Sequence, residues 1–157
     1  MKRRIAFLVT LILVSILFTG CGGTNITKDS TSEDILNYLN KVENKDGSWM
    51  VGKNPGSFYF IPTGELGEAC DTIDEFYWDY LSFGGSVEKC ENADELAAYA
   101  DAVELVSDRV IPRYAELSKE LSEKWGQEVS LMCYTSDSEK GPIYWETNGV
   151  VKISYLW

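Results

Sequence analysis

The sequence predicts an α+β domain: helices, one of them long and kinked, followed by a C-terminal antiparallel three-stranded β-meander. Three observations carry this. Leu96, Tyr99, Val103, Val106, Val110, Tyr114, Leu117, Leu121 and Trp125 recur at steps of three or four, the apolar stripe of a helix. Val129, Leu131 and Cys133 alternate with Ser130, Met132 and Tyr134, the period of a strand. Asn148-Gly149 then lies between two further apolar runs, 143–147 and 150–157, and is a strong two-residue hairpin signal.

Taken in order, Ile35, Tyr38, Leu39 and Val42 mark a first short helix, with Thr31 or Ser32 as its cap and Gly47 beyond its end. Residues 49–51 and 57–61 read as short strands around the turn Lys53-Asn54-Pro55-Gly56, and Pro62, Gly64 and Gly67 close that element. Ile73, Phe76, Tyr77, Tyr80 and Leu81 give a second helix, capped by Asp71 or Thr72 and ended by Gly84-Gly85. The long helix starts at Asn92, with Glu95 at capping-box spacing. Pro112 removes an amide and crowds the preceding turn, yet the stripe stays in phase across it, so one kinked helix is expected, stopped by Gly126. In the hairpin, a two-residue turn sets Trp145 opposite Lys152 and Tyr144 opposite Ile153. Val151, Ile153, Tyr155 and Trp157 then share the face that covers the long helix.

The first twenty residues follow a different logic. Lys2, Arg3 and Arg4 precede a run over 5–18 that is almost wholly apolar, and Phe18-Thr19-Gly20-Cys21 follows. A basic start, a short apolar run and a small residue make a secretory signal rather than a spanning helix. The Gly20-Cys21 junction resembles the lipobox of bacterial lipoprotein precursors, with Phe18 where that family more usually has Leu. The resemblance covers residues 1–21. It implies cleavage by signal peptidase II, lipidation of Cys21 and residence outside the cytoplasm on a bacterial membrane. Residues 21–32, rich in Gly, Thr, Ser and Asn, then read as a flexible tether and 33–157 as one folded domain.

Charge and composition limit what such a domain does. The chain of 157 residues has 14 Lys and Arg, 25 Asp and Glu and no His, a net charge of −11. Without residues 1–20 it keeps eleven bases against the same acids, or −14. That balance argues against nucleic acid as a partner. The lack of histidine removes Ser-His-Asp and Cys-His nucleophiles and imidazole-based zinc sites. The clustered acids offer the oxygen ligands that Ca²⁺ takes, but they show no EF-hand spacing, so a solvated acidic surface is expected in place of a metal site, and no cofactor is expected.

Several residues remain as site candidates. Residues 65–104 hold twelve acids and one base, and Asp71, Asp74, Glu75 and Asp79 fall at helical intervals within that span. Such a patch is a solvated surface or attracts a basic protein or peptide. With Cys21 taken by lipid, three cysteines are left. A Cys70–Cys90 disulfide closes a loop of about 20 residues, worth about 3 kcal/mol, while Cys133 reads as a buried strand residue. Trp145, beside Lys152 and on the sheet face away from the helix, is either a cation–π partner or a ligand platform. The expected function is that of a lipid-anchored, non-catalytic binding module. The alternatives are a cell-envelope glycan hydrolase with paired carboxylates, and an acidic immunity or inhibitor protein against a basic toxin.

Overall fold

A computed structural model describes residues 25–156. Cys21 and the junction expected to be a lipobox, and Trp157, lie outside the described residues. The chain is α+β, with the helical layer on one face of a five-stranded mixed sheet.

Helix α1 (Ser32–Val42) starts on a capping box: the Thr31 hydroxyl accepts the Asp34 amide, and the Asp34 carboxylate accepts the Thr31 amide at 2.7 Å. Its buried face is Ile35 and Leu39. Asn40 on the same helix grips the next strand, accepting the Trp49 N–H at 2.9 Å and donating to the Trp49 carbonyl at 3.1 Å. Those bonds occupy backbone groups that an edge strand otherwise leaves open. Strand β1 (Gly47–Val51) pairs antiparallel with β2 (Ser57–Pro62). Gly56 in the turn between them has φ 75, and a Cβ there would stand 2.3 Å from the Glu128 carbonyl oxygen, so only glycine fits.

Helix α2 (Gly64–Phe76) begins several residues before the expected caps Asp71 and Thr72, which are interior positions. Gly64 and Gly67 lower helix propensity, but Leu66, Cys70, Ile73 and Phe76 bury one continuous stripe, and burial prevails. The helix loosens into a π turn (Tyr77–Leu81), then a 3-10 turn (Ser82–Gly84) around Phe83 at φ 56. A second 3-10 turn (Val87–Lys89) leads to α3 (Ala93–Arg109), capped by the Asn92 side chain. Glu95 does not complete a box with it; its carboxylate accepts the Tyr80 hydroxyl at 2.8 Å.

Helix α4 (Ile111–Trp125) continues from α3 across the single residue Val110. Val110 still donates to the Val106 carbonyl and accepts from Tyr114, so the two segments form one long bent helix, with Pro112 in the first turn after the bend. The stripe stays in phase: Val106, Val110, Tyr114, Leu117, Leu121 and Trp125 are all buried. Gly126, at φ 73, ends it.

Strands β3 (Ser130–Tyr134), β4 (Pro142–Thr147) and β5 (Val150–Ser154) run antiparallel as expected, but they are not a separate three-stranded sheet. β3 also pairs with β2, in parallel, which gives the order β1-β2-β3-β4-β5. The cause is β2 itself: Phe58 and Phe60 are buried, and β2 needs a neighbour on each edge. The whole helical segment serves as the crossover that returns the chain beside β2.

The hairpin register also departs from expectation. Asn148 and Gly149 both take positive φ, as a tight turn of this kind requires. Past Thr147–Val150 and Glu146–Val151, however, a bulge puts Trp145 opposite Ile153 and Tyr144 opposite Ser154. Lys152 is the extra residue, so the expected Trp145–Lys152 and Tyr144–Ile153 pairs do not form. Val151 keeps the expected place opposite Glu146, yet it is exposed instead of covering the long helix.

Candidate functional site

Cross-strand pairing sorts the sheet into two faces. The inner rows are Trp49–Phe60–Cys133–Tyr144 and Val51–Phe58–Leu131–Glu146. These meet the helices: Trp49 and Tyr144 pack on Tyr114, and Phe58 on Trp125. The outer row is Met50–Tyr59–Met132–Trp145, and among the described residues no helix covers it. Met50 is 46% exposed; Tyr59, Met132, Tyr134 and Trp145 are half-buried, with the Tyr59 and Tyr134 rings 5.1 Å apart.

Two adjoining recesses open on this face, and Trp145 lines both. The larger, about 570 Å³, has Tyr59, Met132 and Tyr134 on its floor and Lys53, Glu139 and Lys140 at its rim. The smaller, about 360 Å³, is bounded by Asn54, Ser57, Glu128, Ser130, Thr147 and Lys152. Trp145 donates its indole N–H to the Thr147 hydroxyl at 3.2 Å, and the Ser130 and Thr147 hydroxyls are 2.8 Å apart. Lys53 and Lys152 make no ion pair among the described residues. Trp145 and Lys152 thus border one recess although they are not strand partners.

The loop from Thr135 to Gly141 joins this face to the acidic helix α2. Asp71 accepts the Ser136 amide at 2.8 Å and its hydroxyl at 2.5 Å. Asp74 is buried; it accepts the Trp78 indole N–H at 3.1 Å and pairs with Lys140 at 3.3 Å, which holds the Lys140 ammonium above its ordinary value. Of the four acids singled out in the sequence, two therefore fasten a loop. Glu75 and Asp79 line a shallow recess of about 360 Å³ with Trp78 and Lys140. Beyond it the surface is apolar: Trp78 is 52% and Phe83 97% exposed.

A fourth recess, about 380 Å³, lies under the bend of the long helix over Trp49, Phe60 and Tyr114. Its two arginines are committed to carboxylates: Arg109 to Asp46 and Glu65, Arg113 to Glu43 and Glu116.

The cysteines do not arrange themselves as expected. Cys70 faces Cys133, Sγ to Sγ 3.9 Å, and not Cys90. The Cys90 thiol turns to the Asn92 carbonyl at 3.3 Å and the Glu95 carboxylate at 3.8 Å, and all three thiols are free. The contact with Cys133, and then burial, push the Cys70 thiol well up.

Sequence reading missed one polar cluster. Glu146, fully buried on the inner face, accepts from the Ser118 hydroxyl at 2.5 Å, the Gly149 amide at 3.0 Å and the Tyr144 hydroxyl at 3.1 Å. The signal was present: Glu146 has the same strand parity as Tyr144, and Ser118 adjoins the stripe residue Leu117. Among the described residues no group of His, Cys, Asp and Glu is arranged to hold a metal, and no helix is long and apolar enough to cross a membrane.

Fold and face together define a two-layer α+β domain with one side of its mixed sheet left open. The chain matches no protein-family model, no curated protein and no solved structure.

Proposed function

We propose that this chain is a lipid-anchored extracytoplasmic binding module that presents the open face of its sheet to a saccharide chain. One observation carries the ligand class: an accessible indole, Trp145, beside a strip of hydroxyls, Ser130 and Thr147, in a recess rimmed by Asn54 and Lys152. Sugars offer C–H faces that stack on aromatic rings and hydroxyls that bond to such a strip. The rim lysines keep the face from being as acidic as the rest of the chain. Anchoring rests on the Gly20-Cys21 junction. Ile26 belongs to the core and the Ser30 carbonyl accepts the Trp125 indole N–H at 2.6 Å, so packed residues stand within five positions of Cys21, and an anchor there holds the domain close to the membrane.

Titration with N-acetylhexosamine oligosaccharides, followed by tryptophan fluorescence, tests the ligand class. Trp145→Ala should weaken binding by about tenfold or more, in keeping with the loss of one aromatic anchor. Equal affinity in wild type and variant removes the reading. Cys21→Ser should release the chain from the membrane fraction.

A second reading, capture of a basic protein by the helical layer, is favoured by Phe83 and Trp78, exposed within the acidic stretch 65–104. Under that reading Phe83→Ser and added salt each abolish binding of a cationic amphipathic peptide.

A further inference from the structure

The structure brings one pair of reactive groups together that the binding face does not use. Cys70, on α2, and Cys133, on the central strand β3, are both fully buried, with their sulfurs in contact at 3.9 Å. They come from opposite ends of the crossover that lets β3 lie parallel to β2. We propose that in the exported protein Cys70 and Cys133 are joined by a disulfide that staples this crossover, leaving Cys90 as a free thiol. The inference rests on the extracytoplasmic reading, because only an oxidising compartment keeps such a bond.

The chemistry is thiol–disulfide exchange with a disulfide oxidant. One cysteine thiolate attacks the oxidant's disulfide, forms a mixed disulfide and expels a thiolate. The second cysteine attacks the mixed disulfide, forms the Cys70–Cys133 bond and expels the other thiolate. The pair loses two protons and two electrons, and the oxidant leaves as two thiols. Both sulfurs are inaccessible in the folded chain and Cys70 resists ionisation there, so the bond forms during folding, before the core closes. Side-chain rotation within the contact must bring the sulfurs to bonding distance, about 2 Å.

The test is refolding of the full chain from urea in detergent, with oxidised and reduced glutathione or with excess reductant, followed by alkylation in denaturant and non-reducing peptide mapping. The expected result is a Cys70–Cys133 linked peptide, an alkylated Cys90, and a melting temperature about 10 °C or more above that of the reduced chain. Cys90→Ala should keep the link and the high melting temperature. Cys70→Ala should melt like the reduced wild type and leave Cys133 alkylated. Alkylation of both Cys70 and Cys133 after oxidative refolding, or a link from either to Cys90, overturns the bond itself. A link that forms on refolding, in a chain that cells keep reduced in a soluble fraction, overturns the proposal through the export reading instead.

Discussion

Glu146 is a carboxylate taken wholly out of water with three hydrogen-bond donors and, among the described residues, no cation. A polar group in that position is tolerable only while its partners stay in place, because the desolvation of an unpaired group is not recovered elsewhere. Ser118→Ala removes the shortest of the three bonds and should cost about 2 kcal/mol in urea denaturation. Glu146→Leu leaves the Tyr144 hydroxyl without its acceptor, while the Gly149 amide keeps the Ser118 hydroxyl at 3.2 Å and Ser118 keeps only the Ala115 carbonyl at 3.5 Å, and should cost about 2 kcal/mol or more; a neutral result for both variants contradicts the picture. The helix cap at Thr31 makes a subtler case. The Thr31 backbone amide, and then its hydroxyl, hold the Asp34 carboxyl below the usual carboxylate range. A lowered value means that the cap's contribution is present above the unfolded-state value and is lost as pH falls through the folded one. Thr31→Val removes the hydroxyl and keeps the amide, so the Asp34 carboxyl should move part of the way back up, as read by NMR titration.

Among the elements, the two turn glycines separate backbone conformation from crowding. Gly149 has φ 78 and nothing within 4 Å of a Cβ, whereas Gly56 has φ 75 and the Glu128 carbonyl 2.3 Å away. Gly149→Ala should therefore cost only the left-handed penalty, about 1 kcal/mol, and Gly56→Ala clearly more, because backbone has to move. Equal costs, measured by thermal melting, exclude this account. Local pattern sufficed for the hairpin, the first helix and the long bent helix, since turn chemistry and a continuous stripe act between near neighbours. It failed at the start of α2, where burial of Leu66 and Cys70 outweighs two glycines, and at Lys152, where a bulge inserted one residue beyond the turn. Trp145 was legible as an outward-facing ring, but the recess it shares with Ser130 and Asn54 depends on β2 and β3 lying beside it.

At the scale of the whole molecule, aromatic packing sets the response to alkali. Burial foremost raises the phenols of Tyr99, Tyr114, Tyr134, Tyr144 and Tyr155, while Tyr80 is raised mainly by its bond to Glu95. A raised phenol contributes its full stability below the unfolded-state value, about 10, and loses it as pH climbs through the folded-state value. Tyrosinate absorbance should therefore show a fraction that appears only together with loss of circular dichroism. Smooth ionisation of all phenols in an intact fold contradicts this. The parallel β2–β3 contact could not be read from the sequence, since nothing in Ser57–Pro62 names a partner beyond three helices. That same contact shapes how the protein is made. Parallel pairing across so long an interval forms late, and a nascent chain that has emerged only as far as the long helix carries β1 and β2 as a hairpin with one unsatisfied, aromatic-rich edge. During that interval the edge is a site for association between chains, so a chain truncated before Ser130 is expected to aggregate during synthesis.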